Sequence, residues 1–105
     1  MQMILIVVAV AALCSPAMQA ADAAAGKVAY DKSCKSCHGA DGTPNAGVAK
    51  MMKVEIKDLK SPAVQGMSDA ELQTIITAGK GKMKPVASIT GASVDDVVAY
   101  VKSLR

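Results

Sequence analysis

Cys34-Lys35-Ser36-Cys37-His38 is the stretch that decides how this chain is read. Two cysteines stand three positions apart, about one helical turn, and a histidine follows the second directly. That spacing lets both thiols form thioethers to the vinyl groups of one haem, while the imidazole stands over the ring and offers a nitrogen to iron. C-x-x-C-H is the attachment signature for that chemistry. Three other uses of the residues are weaker. A disulfide needs only the two cysteines, and an exported chain would keep one. A thiol-redox C-x-x-C belongs in a βαβ context, and no such pattern surrounds this one. A zinc site wants about four nitrogen or sulfur ligands, and beyond residue 20 only Cys34, Cys37 and His38 remain.

His38 is the only histidine in the chain, so a second axial ligand must be of another type, with methionine the obvious donor. Four methionines lie beyond residue 20: Met51, Met52, Met67 and Met83. Met67 precedes Ser68, a helix cap, and Leu72 sits four positions into that helix, which makes Met67 a hydrophobic staple. Met51 and Met52 share a short helical stretch and read as packing residues. Met83 lies in the polar loop Gly79-Lys80-Gly81-Lys82-Met83-Lys84-Pro85, where a thioether has no evident packing role. Its glycines let backbone come close to a flat ring. Met83 is therefore the candidate distal ligand.

Toward the amino terminus, Met3 to Leu13 is almost unbroken apolar sequence, too short to span a bilayer. Ser15, Pro16 and small residues follow. This order reads as a secretory signal over residues 1–20, with cleavage expected after Ala20 and with Ala17 and Ala23 as alternatives. No Lys or Arg precedes the apolar run. An uncleaved anchor is the competing reading, and Cys14 is discounted as a lipid site because Leu13 precedes it. The domain is then residues 21–105, exported to the periplasm and soluble once the signal is removed.

The net charge is +3, and every charged residue lies beyond the signal. No basic patch interleaves with aromatics, so nucleic acid is not an expected partner. The chain has no Phe or Trp, and its two tyrosines are Tyr30 and Tyr100. A small domain with so little aromatic volume needs something else to fill its centre.

The pattern along the chain is all-α, with no strand pairs. Ala21 to Ala25 reads as a lead-in and Gly26 to Ser33 as a helix. Gly39 to Gly47 is turn-rich, Val48 to Met52 a short helix, and Lys53 to Pro62 a mixed stretch that Pro62 closes. Ser68 with Glu71 forms a capping box. Leu72, Ile75, Ile76 and Gly79 then follow helical spacing, and glycine ends the helix. A last helix begins near Ser93, its stripe made by Val94, Val97, Val98, Val101 and Leu104. Asp95 and Asp96 at its start and Lys102 and Arg105 at its end suit the helix dipole.

With these elements in place, residues 21–105 resemble a class I cytochrome c along nearly their whole length. The resemblance rests on Gly26 and Tyr30 before the motif, on Cys34-Lys35-Ser36-Cys37-His38-Gly39, on the loop around Met83, and on Val98-Ala99-Tyr100-Val101. It implies a small helical domain around one covalent haem c, with first and last helices crossing where Gly26 allows close approach. It also implies His38 and Met83 as axial ligands, low-spin iron and an electron-carrier role. A proline carbonyl accepting from the ligating histidine is a further implication, and Pro44 is the nearest candidate. This chain departs from the common pattern at Lys84, which separates Met83 from Pro85.

The expected function is outer-sphere electron transfer by a monomer that is not an enzyme. Redox proteins are the expected partners, membrane complexes among them. Lys80, Lys82 and Lys84, with Lys35, would steer a partner with an acidic face; ordinary solvated lysines are the alternative. Two rival classes remain: a gas- or peroxide-binding protein, if Met83 leaves the iron five-coordinate, and a fixed module of an oxidase or reductase complex, if the anchor is retained.

Overall fold

The computed structural model describes residues 21–105; the expected export signal, residues 1–20, lies outside them. Six helices follow one another: α1 (Ala23–Ser33), α2 (Lys35–His38), α3 (Ala46–Met52), α4 (Pro62–Gln65), α5 (Asp69–Ala78) and α6 (Ala92–Ser103). No strand occurs among the described residues; the one bridge, Lys80 with Met83, is isolated.

The first and last helices form the main packing contact. A β-carbon built on Gly26 would lie 1.9 Å from the Asp96 carbonyl oxygen, so only glycine lets the two backbones approach this closely. Asp22 secures the same crossing from the end of α1. Its carboxylate accepts from the amides of Ala24 and Ala25 at 2.9 and 3.2 Å, and its own amide donates to the Asp96 carboxylate at 2.8 Å. α1 therefore starts three residues before Gly26. Ala23 to Ala25 form its first turn, because alanine favours helix and Asp22 caps it. Tyr30 and Val97, at 0% and 1% exposure, lie at the centre of the interface. The Tyr30 and Tyr100 rings meet there with centroids 4.9 Å apart.

Gly26→Val should cost about 3 kcal/mol, near the top of the overpacking range, since the obstructing atom is backbone and cannot rotate away. Urea denaturation of the haem-loaded protein measures this. A loss below about 1 kcal/mol would mean that the crossing tolerates separation.

α5 packs on α6 and buries Leu72 and Ile76, while Val94, Val97, Val98 and Val101 supply the α6 side. Ser68 caps α5 as expected, its hydroxyl accepting from the Glu71 amide at 3.1 Å. α6 ends at Ser103, so Arg105 lies beyond it.

Pro62 opens a helix instead of closing a segment. Ser61 caps α4, and Pro62 takes the first helical position, where its missing N–H costs nothing. α3 starts two residues before Val48 because Asn45 caps it, accepting from the Val48 amide at 3.2 Å. Met51 is 76% exposed and does no packing. Successive helical residues point about 100° apart, so of the adjacent pair only Met52 turns inward.

Candidate functional site

The turn from Cys34 to His38 is set by its neighbours on both sides. The Cys34 amide continues the α1 ladder to the Tyr30 carbonyl at 2.8 Å, and the Cys34 carbonyl accepts from Cys37 and His38 at 3.3 and 3.0 Å. Cys34 thus ends α1 and begins α2. Asn45 holds the far side: its amide donates to the Cys37 carbonyl at 3.0 Å and its side-chain amide to the Ser36 carbonyl at 3.3 Å. Beyond His38 the chain is anchored to the helix crossing. The Tyr30 hydroxyl donates to the Gly39 carbonyl at 2.7 Å, and the Tyr100 hydroxyl to the Ala40 carbonyl at 3.3 Å.

Cys34 is buried, Cys37 half-buried, and both are free thiols. Burial, with a smaller contribution from Cys37, pushes the Cys34 thiol up to about 11. His38 is half-buried, and burial lowers its pKa below the ordinary histidine range, which keeps the imidazole neutral and its lone pair available. Its Nδ1 is buried without a hydrogen-bond partner. The Pro44 carbonyl therefore does not accept from it in this structure. Pro44 leads straight into Asn45, whose amide and side chain are committed to the Cys37 and Ser36 carbonyls.

Cys34, Cys37, His38 and Met83 all line one cavity of about 560 Å³. Tyr30, Val97, Val98 and Val101 bring the helix crossing to it, and Leu72, Ile75 and Ile76 bring α5. The segment after α3 closes another side with Val54, Ile56 and Leu59. Met52 and Met67 also reach it, so three methionines face one space. The lining is overwhelmingly apolar; Glu55, Lys57, Lys80 and Lys82 are its charged members.

Met83 is brought there by a tight turn. The Lys80 amide donates to the Met83 carbonyl at 2.9 Å and the Met83 amide to the Lys80 carbonyl at 3.0 Å. Gly79, at φ +79°, makes the return possible: a β-carbon on it would lie 2.5 Å from the Met83 carbonyl oxygen and 2.9 Å from Pro85. The glycine thus serves close approach of the chain to itself. Lys80, Lys82 and Lys84 are all exposed, and Lys82 is tied by its ammonium to the Met52 carbonyl at 2.6 Å.

The residues present fit a covalently held haem. Two free thiols three positions apart, a neutral imidazole, a thioether and an apolar cavity of ligand size occur together. By contrast, no group of three or more His, Cys, Asp or Glu side chains among the described residues could hold a bare metal ion. The cavity wall from Met52 to Leu59 was not legible as part of the site. The signal available was the alternation of half-buried Val54 and Ile56 with exposed Lys53, Glu55 and Lys57.

Comparison with known proteins gives three findings. The family described as cytochrome c oxidase, cbb3-type, subunit III matches residues 21–101. Cytochrome c-554(547) of Halothiobacillus neapolitanus is 30% identical over 92 residues, covering 82% of this chain and all of that protein. The solved structure of the KustC0563 c-type cytochrome superposes with a TM-score of 0.64 over 76% of this chain and 96% of its own, at 24% identity, a likeness of fold.

Proposed function

Because the chain belongs to the c-type cytochromes, in the family of cbb3-type oxidase subunit III, and takes haem c as its cofactor, we propose that it is an exported single-haem electron carrier. Cys34 and Cys37 would hold the haem by thioethers, and His38 and Met83 would be the ligands to its iron. What supports the reading is the convergence of those four side chains on one apolar cavity. When bound, the haem supplies one-electron exchange between Fe(II) and Fe(III).

The chain's own residues do the rest. Half-buried and neutral, His38 offers a lone pair without first losing a proton. Tyr30, Tyr100 and Asn45 fix the backbone on which Cys37 and His38 stand. The apolar walls exclude water and, with a thioether as second donor, favour the reduced, less charged iron. With His38 and Met83 both on the iron, no open position would be left for a substrate, which is why the proposal is a carrier and not an enzyme. Lys80 lines the cavity and is exposed, Lys84 lies exposed next to Met83, and both would draw in a redox protein with an acidic face. In the described residues no helix is long and apolar enough to cross a membrane.

A redox titration followed by visible spectroscopy tests the function. The expected result is one reversible one-electron wave, low-spin spectra in both states and no reaction of the reduced protein with carbon monoxide. Electron exchange with an acidic partner protein should slow as salt is added. Ready carbon monoxide binding by the wild-type protein would move a gas-binding or catalytic role ahead. Met52 offers a second reading of the distal ligand, because it faces the same cavity.

A further inference from the structure

The turn that carries Met83 is bonded mostly to itself. Lys80 and Met83 exchange their two amide bonds. At its base, Gly79 donates to the Ile75 carbonyl, and beyond it Val86 donates to the Ile76 carbonyl, both on α5. Among the described residues, one hydrogen bond joins residues 80–83 to the other side of the cavity. It runs from Lys82 Nζ to the Met52 carbonyl oxygen, 2.6 Å, across 30 positions of sequence.

The acceptor is well placed to take a cation. Met52 is the last residue of α3, and Lys53 caps the helix in the left-handed conformation, φ +54°. The amides of Lys53 and Val54 turn back to the carbonyls of Ala49 and Lys50, leaving that of Met52 without a backbone donor. The last carbonyls of a helix carry partial negative charge, and an ammonium satisfies them. Both Met52 and Lys82 line the cavity, so the bond spans its lip.

We propose that Lys82 is a positioning residue: its bond to the end of α3 holds the 80–83 turn closed, so that the Met83 thioether stays at the cavity. The inference rests on Met83 as distal ligand. Without the bond, the remaining hydrogen bonds that tie this segment to the protein are those of Gly79 and Val86 to α5, and the turn can swing about Gly79 and Pro85. Each opening would expose the position that Met83 takes, and an external ligand would bind in proportion to the open fraction.

Titration of the oxidised, haem-loaded protein with imidazole reads that fraction, followed by loss of the sulfur-to-iron charge-transfer band. Lys82→Ala should bind imidazole about tenfold more tightly than wild type, as expected from losing a charge-assisted hydrogen bond. Lys82→Arg, which can donate to the same carbonyl, should return the affinity toward wild type. Lys84→Ala removes an equal charge two residues away and should leave the affinity unchanged. An unchanged affinity in Lys82→Ala overturns the proposal, as does an equal rise in Lys84→Ala, which would make the effect one of general charge. If wild type lacks the band and binds imidazole as readily as Met83→Ala, the Met83 assignment itself has failed. A normal wild-type band with no effect of Lys82 rejects the clamp alone.

Discussion

Cys34→Ala combined with Cys37→Ala is expected to give a chain that neither retains haem nor folds. The cavity of about 560 Å³ lies at the centre of a domain with two tyrosines and no larger aromatic side chains to collapse into it. Without haem the apolar walls of this open space would face water, which offers them no compensating partners, and a domain this small has little stability to spare. Circular dichroism should therefore show most of the helix signal lost in the double variant. In the wild-type protein, haem should stay with the polypeptide through denaturation and acid–organic extraction, since thioethers survive both. A cooperative, fully helical apoprotein would show that the protein core is sufficient alone. Extractable haem, or a Cys34–Cys37 disulfide in protein from its own cell, would remove the attachment reading.

Met83→Ala should change the iron more than the fold. The oxidised wild-type protein is expected to be low-spin, with the weak long-wavelength sulfur-to-iron band. The variant should lose that band and admit carbon monoxide or cyanide. Its reduction potential should fall on the order of 100 mV, a modest part of the range of about 0.8 V that axial ligands span. Met52→Ala and Met67→Ala are the decisive controls, since both side chains face the same cavity. Each should keep the band and lose roughly 2–5 kcal/mol of stability to the extent that its side chain is buried. Met51→Ala should keep the band and lose little stability, because Met51 is 76% exposed. A band that survives in Met83→Ala and disappears in Met52→Ala would transfer the distal role to Met52.

What could be read in advance was local. The C-x-x-C-H turn, the Ser68 cap with the periodic face of α5, and the valine stripe of α6 each lie within a dozen residues and follow the period of one helix. The crossing at Gly26 came from family resemblance, and the 1.9 Å approach to Asp96 gives its physical reason. Where the structure departs from the sequence pattern, a residue of double meaning takes its rarer sense: Pro62 opens a helix because Ser61 caps it, and Asp22, in an alanine-rich lead-in, caps α1 through its carboxylate. The second role of the tyrosines, holding the carbonyls after His38, depends on a partner 9 positions away for Tyr30 and 60 for Tyr100. No periodicity carries such information. The meeting of three methionines in one space is equally invisible along the chain, because it depends on how α3, α5 and the 80–83 turn are placed together.

The pairing of α1 with α6 also orders events in time. The helix that leads into Cys34 finds its main partner in α6, far along the chain, so a long loop must close before their crossing forms. Until then the Cys34 thiol, buried in the finished domain, remains open to reaction. An unfolded chain thus offers its attachment site until α6 meets α1 and withdraws it when they cross, so modification should precede that closure.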